Sequence, residues 1–202
     1  MNEQVWQNAM VIYALHALGI HPSDAFTYTQ VQSRFLAWCE SGKGVLKINN
    51  MPIRMFPGKV VFTPWNHSIS WLADSKEPFQ MGTIHIIPDM PHENPPRYSP
   101  FHAASPEAPE FYNRKDEFLP EFTDTGIFEV PLDHPLLELG RYVINRFQSE
   151  CPEFMPRAFP RMLLYELYAL KAGECCHYPV ELQNILNNID HYLEDDRLST
   201  QF

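Results

Sequence analysis

GKGVLKINNMPIRMFPGKVVFTPWNHSISWLADSKEPFQMGTIH, residues 42–85, is the stretch on which the fold turns. Apolar and polar residues alternate through most of it, the period of strands with one buried face. Strands are predicted at Val45–Asn49, Lys59–Thr63, Ile69–Ala73 and Phe79–Ile87. Between them stand Gly42 and Gly44, Asn49-Asn50, Pro57-Gly58 and Asp74-Ser75, residue pairs able to reverse a chain. Upstream, Gln32–Cys39 has the same character. Met10–Leu15 is read as a strand, although Val5, Ala9, Ile12 and His16 also fit a helical period. Several short strands at close spacing predict a sandwich or barrel.

Downstream the rhythm breaks. Pro88, Pro91, Pro95, Pro96, Pro100, Pro106, Pro109 and Pro120 forbid a long helix or a central strand over 88–125. Phe101, Phe111, Tyr112, Phe118 and Phe122 recur there, so the segment is expected to pack its aromatics on the barrel; His92 and His102 are read as surface residues. From Pro131 the period becomes 3.6. A first helix is predicted to start at Asp133-His134-Pro135, with aspartate as the cap, and to stop before Pro152. A second is expected over Pro156–Ala172, ending at Gly173, and a third from Pro179. Helices after strands make the class α+β, a barrel over about 1–125 followed by a helical subdomain over 130–195.

The chain has 202 residues and a formal charge of −10, which repels a nucleic-acid backbone. No run approaches the roughly 20 apolar residues that cross a bilayer, and the start, Met1-Asn2-Glu3-Gln4, lacks the basic residues of a secretory signal. A cytoplasmic protein with no membrane partner is expected. Cys39, Cys151, Cys175 and Cys176 form no Cys-x-x-Cys pair and are read as reduced structural thiols.

The order of small motifs in 42–85 resembles the sensor half of AraC/XylS-family transcription regulators. It comprises Gly42-Lys43-Gly44, Pro57-Gly58 before Val60-Val61-Phe62, Pro64-Trp65-Asn66-His67, Trp71, Ala73-Asp74, Pro78-Phe79 and Ile84-His85. The resemblance implies a cupin-like double-stranded β-barrel, or jelly roll, followed by a helical dimerisation subdomain. It also implies a small-molecule effector, a homodimer, and DNA contact only through a helix-turn-helix half that is absent here. Ile185–Leu198 is similar to the helix and acidic bridge before that half, so 196–202 is expected to be its start. Family members of known ligand bind sugars and related molecules inside the barrel. By position, the lining residues implied are Trp71, His67, Met81, Thr83 and His85, with Trp38 and Arg34 as further options and Trp65 as a possible cap. Each of these could equally be barrel filling: tryptophan and methionine as core, histidine satisfied within it.

A metal-dependent cupin enzyme is the sharp alternative. It needs about three histidines and a carboxylate in fixed geometry. Tyr28–Ser41 holds no histidine and one acid, Glu40, and the second motif's histidine would fall at Ile69, whereas the chain has His67. No nucleophile elbow, P-loop or dinucleotide fingerprint is present. Neither cofactor nor metal is therefore expected, and a binding role is expected in place of an enzyme. A standalone cupin binding protein is the second reading.

Overall fold

A computed structural model describes residues 5–17, 27–90, 114–149 and 157–173. The third predicted helix, Cys151, Cys175 and Cys176, the histidines His92 and His102, and the aromatics Phe101, Phe111 and Tyr112 lie outside these residues. So do most of the proline-rich segment and the 196–202 boundary.

Among the described residues nine strands form: β1 Met10–Ala17, β2 Thr27–Val31, β3 Arg34–Ser41, β4 Gly44–Ile48, β5 Met51–Met55, β6 Lys59–Thr63, β7 His67–Ala73, β8 Gln80–Ile87 and β9 Gly126–Glu129. Two helices follow, α1 Pro135–Gln148 and α2 Ala158–Ala172. The strands make two antiparallel sheets of order β1-β8-β3-β6-β9 and β2-β7-β4-β5. Numbered from one to eight, the orders 1-8-3-6 and 2-7-4-5 define a jelly roll, with β9 added at the β6 edge. The α+β class with a cupin-like barrel and a helical part is thus what the chain builds.

Local chemistry explains the joints. Asn49 and Asn50 both adopt positive φ, 49° and 66°, which suits the two-residue turn that pairs Ile48 with Met51. Gly58 sits at φ 83° after Pro57, where a side chain would be strained and would collide with the Val130 carbonyl.

Two apolar layers result. Between the sheets lie Phe35, Ala37, Cys39, Leu46, Ile48, Met55, Val61, Ile69, Phe79 and Met81. On the other side of the five-stranded sheet, Leu36, Trp38, Val60, Phe62, Ile84 and Ile86 pack under Leu136, Val143, Ile144, Met162, Leu163 and Leu167 of the helices. Trp38 is the wedge of that layer. A Cβ on Gly82 would collide with its ring, and one on Gly140 would sit 2.6 Å from it. Glycine at both positions lets the indole lie flat between β8 and α1.

Three predicted details change. The cap of α1 is His134, whose Nδ1 accepts from the Leu136 N–H at 3.1 Å; Asp133 stands one residue too early. The second helix begins at Ala158 and ends as expected at Gly173, φ 69°. Strands β2, β5 and β9 are additional to those read from the sequence.

Candidate functional site

The interior of the barrel has two unlike ends. Near the β3–β4 turn it is apolar and closed: Phe79 is fully buried, and a Cβ on Gly44 would collide with its ring. At the opposite end, where β3 and β7 begin and β6 and β8 finish, the buried groups are polar. Ser33, Thr63, His67 and His85 are at most 3% exposed there.

Alternation places them. On β8, Met81, Thr83 and His85 share one face; on β7, His67, Ile69, Trp71 and Ala73 do. Phe35 is the hub. Its ring centroid lies 4.6 Å from His85, 5.9 Å from Trp71 and 6.0 Å from His67. The Ser33 hydroxyl is 2.9 Å from His85 Nδ1. The Phe35 N–H donates to Thr63 Oγ1 at 3.1 Å, and that hydroxyl lies 3.2 Å from His67 Nδ1 and 3.4 Å from its Nε2.

His67 has a definite proton arrangement. Its Nδ1 is 2.9 Å from the Pro64 carbonyl, which can only accept, so Nδ1 carries the hydrogen and Nε2 keeps its lone pair. Burial lowers its pKa from 6.5 to about 4; the Pro64 hydrogen bond opposes this, and the charge of Arg34 adds to it. The imidazole is a neutral acceptor at physiological pH. Burial, then the neighbouring Tyr28, pushes the Tyr13 phenol up as well. Tyr13, Tyr28 and Trp71 are each half-buried, on or beside the facing edge strands β1 and β2, and form an aromatic side of the interior. The Tyr13 ring lies 6.1 Å from that of His85.

Of the residues expected to line the site, His67, Trp71 and His85 meet around Phe35. Thr83 faces the same interior, but its hydroxyl donates to the Leu15 carbonyl at 3.2 Å. Met81 belongs to the apolar end, paired across strands with Cys39 and Ala17.

Trp38 and Arg34 are corrected: they lie on the opposite face of β3, under the helices. The Trp38 indole N–H donates to Glu40, which also takes two hydrogen bonds from Arg141 of α1 at 2.9 and 2.7 Å. Arg34 clamps Asp116 bidentately, with both bonds at 2.9 Å. Neither side chain faces the barrel interior. Trp65 packs beside Ile12, Ile87 and Met90.

Phe35, Ser33, Thr63, Tyr13 and Tyr28 were not anticipated. Strand alternation would have found Phe35 and Ser33 had the Phe35–His85 pairing been known.

Among the described residues, no group of three His, Cys, Asp or Glu side chains could hold a metal ion. A depression of about 550 Å³ on the outer side of the smaller sheet is lined by Val45, Phe56 and Leu72 with Arg54 and Lys43. It is wide open. Lys43 is paired with Glu77 at 2.9 Å, and Asp74 lies in the same wall.

No protein-family model matches the sequence, and no curated protein does. Among solved structures, a cupin protein from Bacteroides fragilis is similar at 20% identity over 39% of this chain and 63% of its own, TM-score 0.29. An apo form of ToxT from Vibrio cholerae is similar at 11% identity over 83% of this chain and 58% of its own, TM-score 0.45. Unsaturated-fatty-acid-bound wild-type ToxT gives 12%, 85%, 55% and 0.43 for the same measures. The chain thus spans about three-fifths of the length of each. The jelly-roll assignment rests on the strand order itself.

Proposed function

We propose that this chain is the effector-sensing and dimerisation portion of an AraC/XylS-type transcription regulator, binding a neutral, hydroxyl-rich small molecule at the polar end of the barrel. One observation carries the reading: a hydrocarbon core has no use for two histidines, a serine and a threonine buried around one phenylalanine ring. Such groups present donors and acceptors of fixed direction, and Trp71 and Phe35 offer apolar faces, the combination that holds a sugar-like ring. His67 is neutral, and among the described residues no guanidinium or ammonium group joins the cluster, which favours a neutral ligand. The motif order in 42–85 supports the family.

Dimerisation uses α1 and α2, whose Tyr142, Phe147, Tyr165 and Leu170 pack against the core yet stay half-buried. DNA is reached through a half outside this chain. No helix among the described residues is long and apolar enough to cross a membrane. A cytoplasmic location belongs to the regulator reading. It is a binding domain and not an enzyme.

The test is a thermal-unfolding screen of neutral sugars and polyols against aliphatic carboxylates. A ligand at 100 times its Kd stabilises the folded chain by about 2.7 kcal/mol. Neutral hydroxylated compounds are expected to raise the midpoint, and Trp71→Ala to abolish that rise. Stabilisation by carboxylates alone, or an unchanged response in Trp71→Ala, overturns the reading. Light scattering should give twice 23.6 kDa.

A further inference from the structure

Residues 114–122 form a strap that joins the barrel's polar end to the last turn of α2. At its start, Lys115 and Asp89, just past β8, exchange backbone hydrogen bonds of 3.1 and 3.2 Å. Glu117 accepts from the Trp6 N–H at 2.8 Å. At its end, Glu121 accepts from the Tyr168 hydroxyl at 2.8 Å, and its carbonyl accepts from Lys171 Nζ. The Phe122 ring packs edge-on against Phe62 and Tyr168, both at 5.2 Å.

One side chain holds the middle. Besides its two bonds to Asp116, Arg34 donates to the Phe122 carbonyl at 2.8 Å and the Glu117 carbonyl at 3.3 Å. It is 3% exposed, so these bonds operate in a low-dielectric setting where misalignment is expensive. Its chain neighbours, Ser33 and Phe35, point the other way, into the barrel, at His85, His67 and Trp71. Strand alternation therefore places the clamp back-to-back with the hub of the polar end. A molecule seated among Trp71, His67 and His85 must displace or press the Phe35 ring, and β3 moves with it.

Building on the sensor reading, we propose that the strap is the transmission element: occupancy of the polar end shifts β3 at Ser33–Phe35, loosens the Arg34 clamp and frees residues 114–122 from α2. The two states are clamped and released, and both barrel and helix bias them.

Hydrogen exchange on the full chain tests this without any effector, so the outcome is separate from that of the ligand screen. Ser33→Ala removes the hydroxyl on His85 and touches the barrel side alone. It is expected to speed amide exchange at 114–122 and at 167–173 by about ten-fold, the equivalent of about 1.4 kcal/mol of easier local opening. In an Arg34→Lys background, where the fork is lost, exchange at 167–173 is already fast and Ser33→Ala adds nothing further. If Arg34→Lys does not hold its fold, Asp116→Asn serves as the background. Acceleration confined to β3 and β8 overturns the proposal. So does a Ser33→Ala effect on 167–173 that is undiminished in the clamp variant. A positive exchange result with no stabilising ligand in the screen would keep the strap and remove the sensor reading.

Discussion

Acidification should unfold this protein through His67 before its carboxylates matter. Unfolding returns the imidazole to water, where it takes a proton near pH 6.5; the folded chain withholds that proton until about pH 4. Between those values the unfolded state binds more protons, so stability falls as the pH falls. The full difference amounts to about 3 kcal/mol, and about 2 kcal/mol of it is already lost at pH 5. Glu40, Asp74 and Glu121 are held below their usual range, so the stability they supply is present above about pH 4.5 and goes only below it. The window from pH 7 to 5 is therefore informative about histidine. Urea titrations at pH 7 and pH 5 should show wild type losing about 2 kcal/mol. The His67→Gln variant keeps an amide donor for the Pro64 carbonyl but cannot titrate; it should start less stable and lose much less. An equal loss in both chains would refute the argument, because the titrating group would then lie elsewhere.

Gly140→Ala drives a methyl into the Trp38 ring and should destabilise by about 1–3 kcal/mol in urea unfolding, in spite of alanine's better helix propensity. His134→Ala removes the acceptor for the Leu136 N–H and should cost about 1 kcal/mol, read as a lower midpoint with unchanged m-value. Burial raises the Cys39 thiol to about 11, so peptide mapping after iodoacetamide at pH 8 should find Cys39 unlabelled in the native chain and labelled in denaturant.

Much of this architecture was legible because one side of each strand is plainly apolar. Lys59–Thr63 matches its predicted bounds, and β3, β4, β7 and β8 differ from theirs by one or two residues. The strands that escaped have physical reasons for doing so. β2 reads Thr-Tyr-Thr-Gln-Val and is largely exposed, so it lacks an apolar stripe. β5 contains Pro52, which is tolerated because β5 is the edge of its sheet. β9 has just Ile127 and Phe128 as apolar residues, too short a run to show a period of two, and it lies just past the proline-rich segment. The geometry of the candidate site was half legible. The resemblance named His67, Trp71 and His85, and alternation along β7 and β8 places all three on inner faces. Alternation could not place Arg34 and Trp38, because β3 is buried on both faces and hydrophobicity does not then distinguish them. Only the pairing register does, and that is a long-range property.

The position of β8 between β1 and β3 has a consequence for how the molecule is made. Both of its neighbours leave the ribosome well before it and must wait with open edges until residue 87 has emerged. Every contact that closes the larger sheet spans a long separation in sequence, so folding should be slow and late. A nascent chain halted short of Ile87 leaves β1 without its partner and one edge of β3 open, the other being paired with β6, and an open edge of that kind accepts a strand from another molecule. Chaperone demand during synthesis should peak there and fall sharply once β8 slots in.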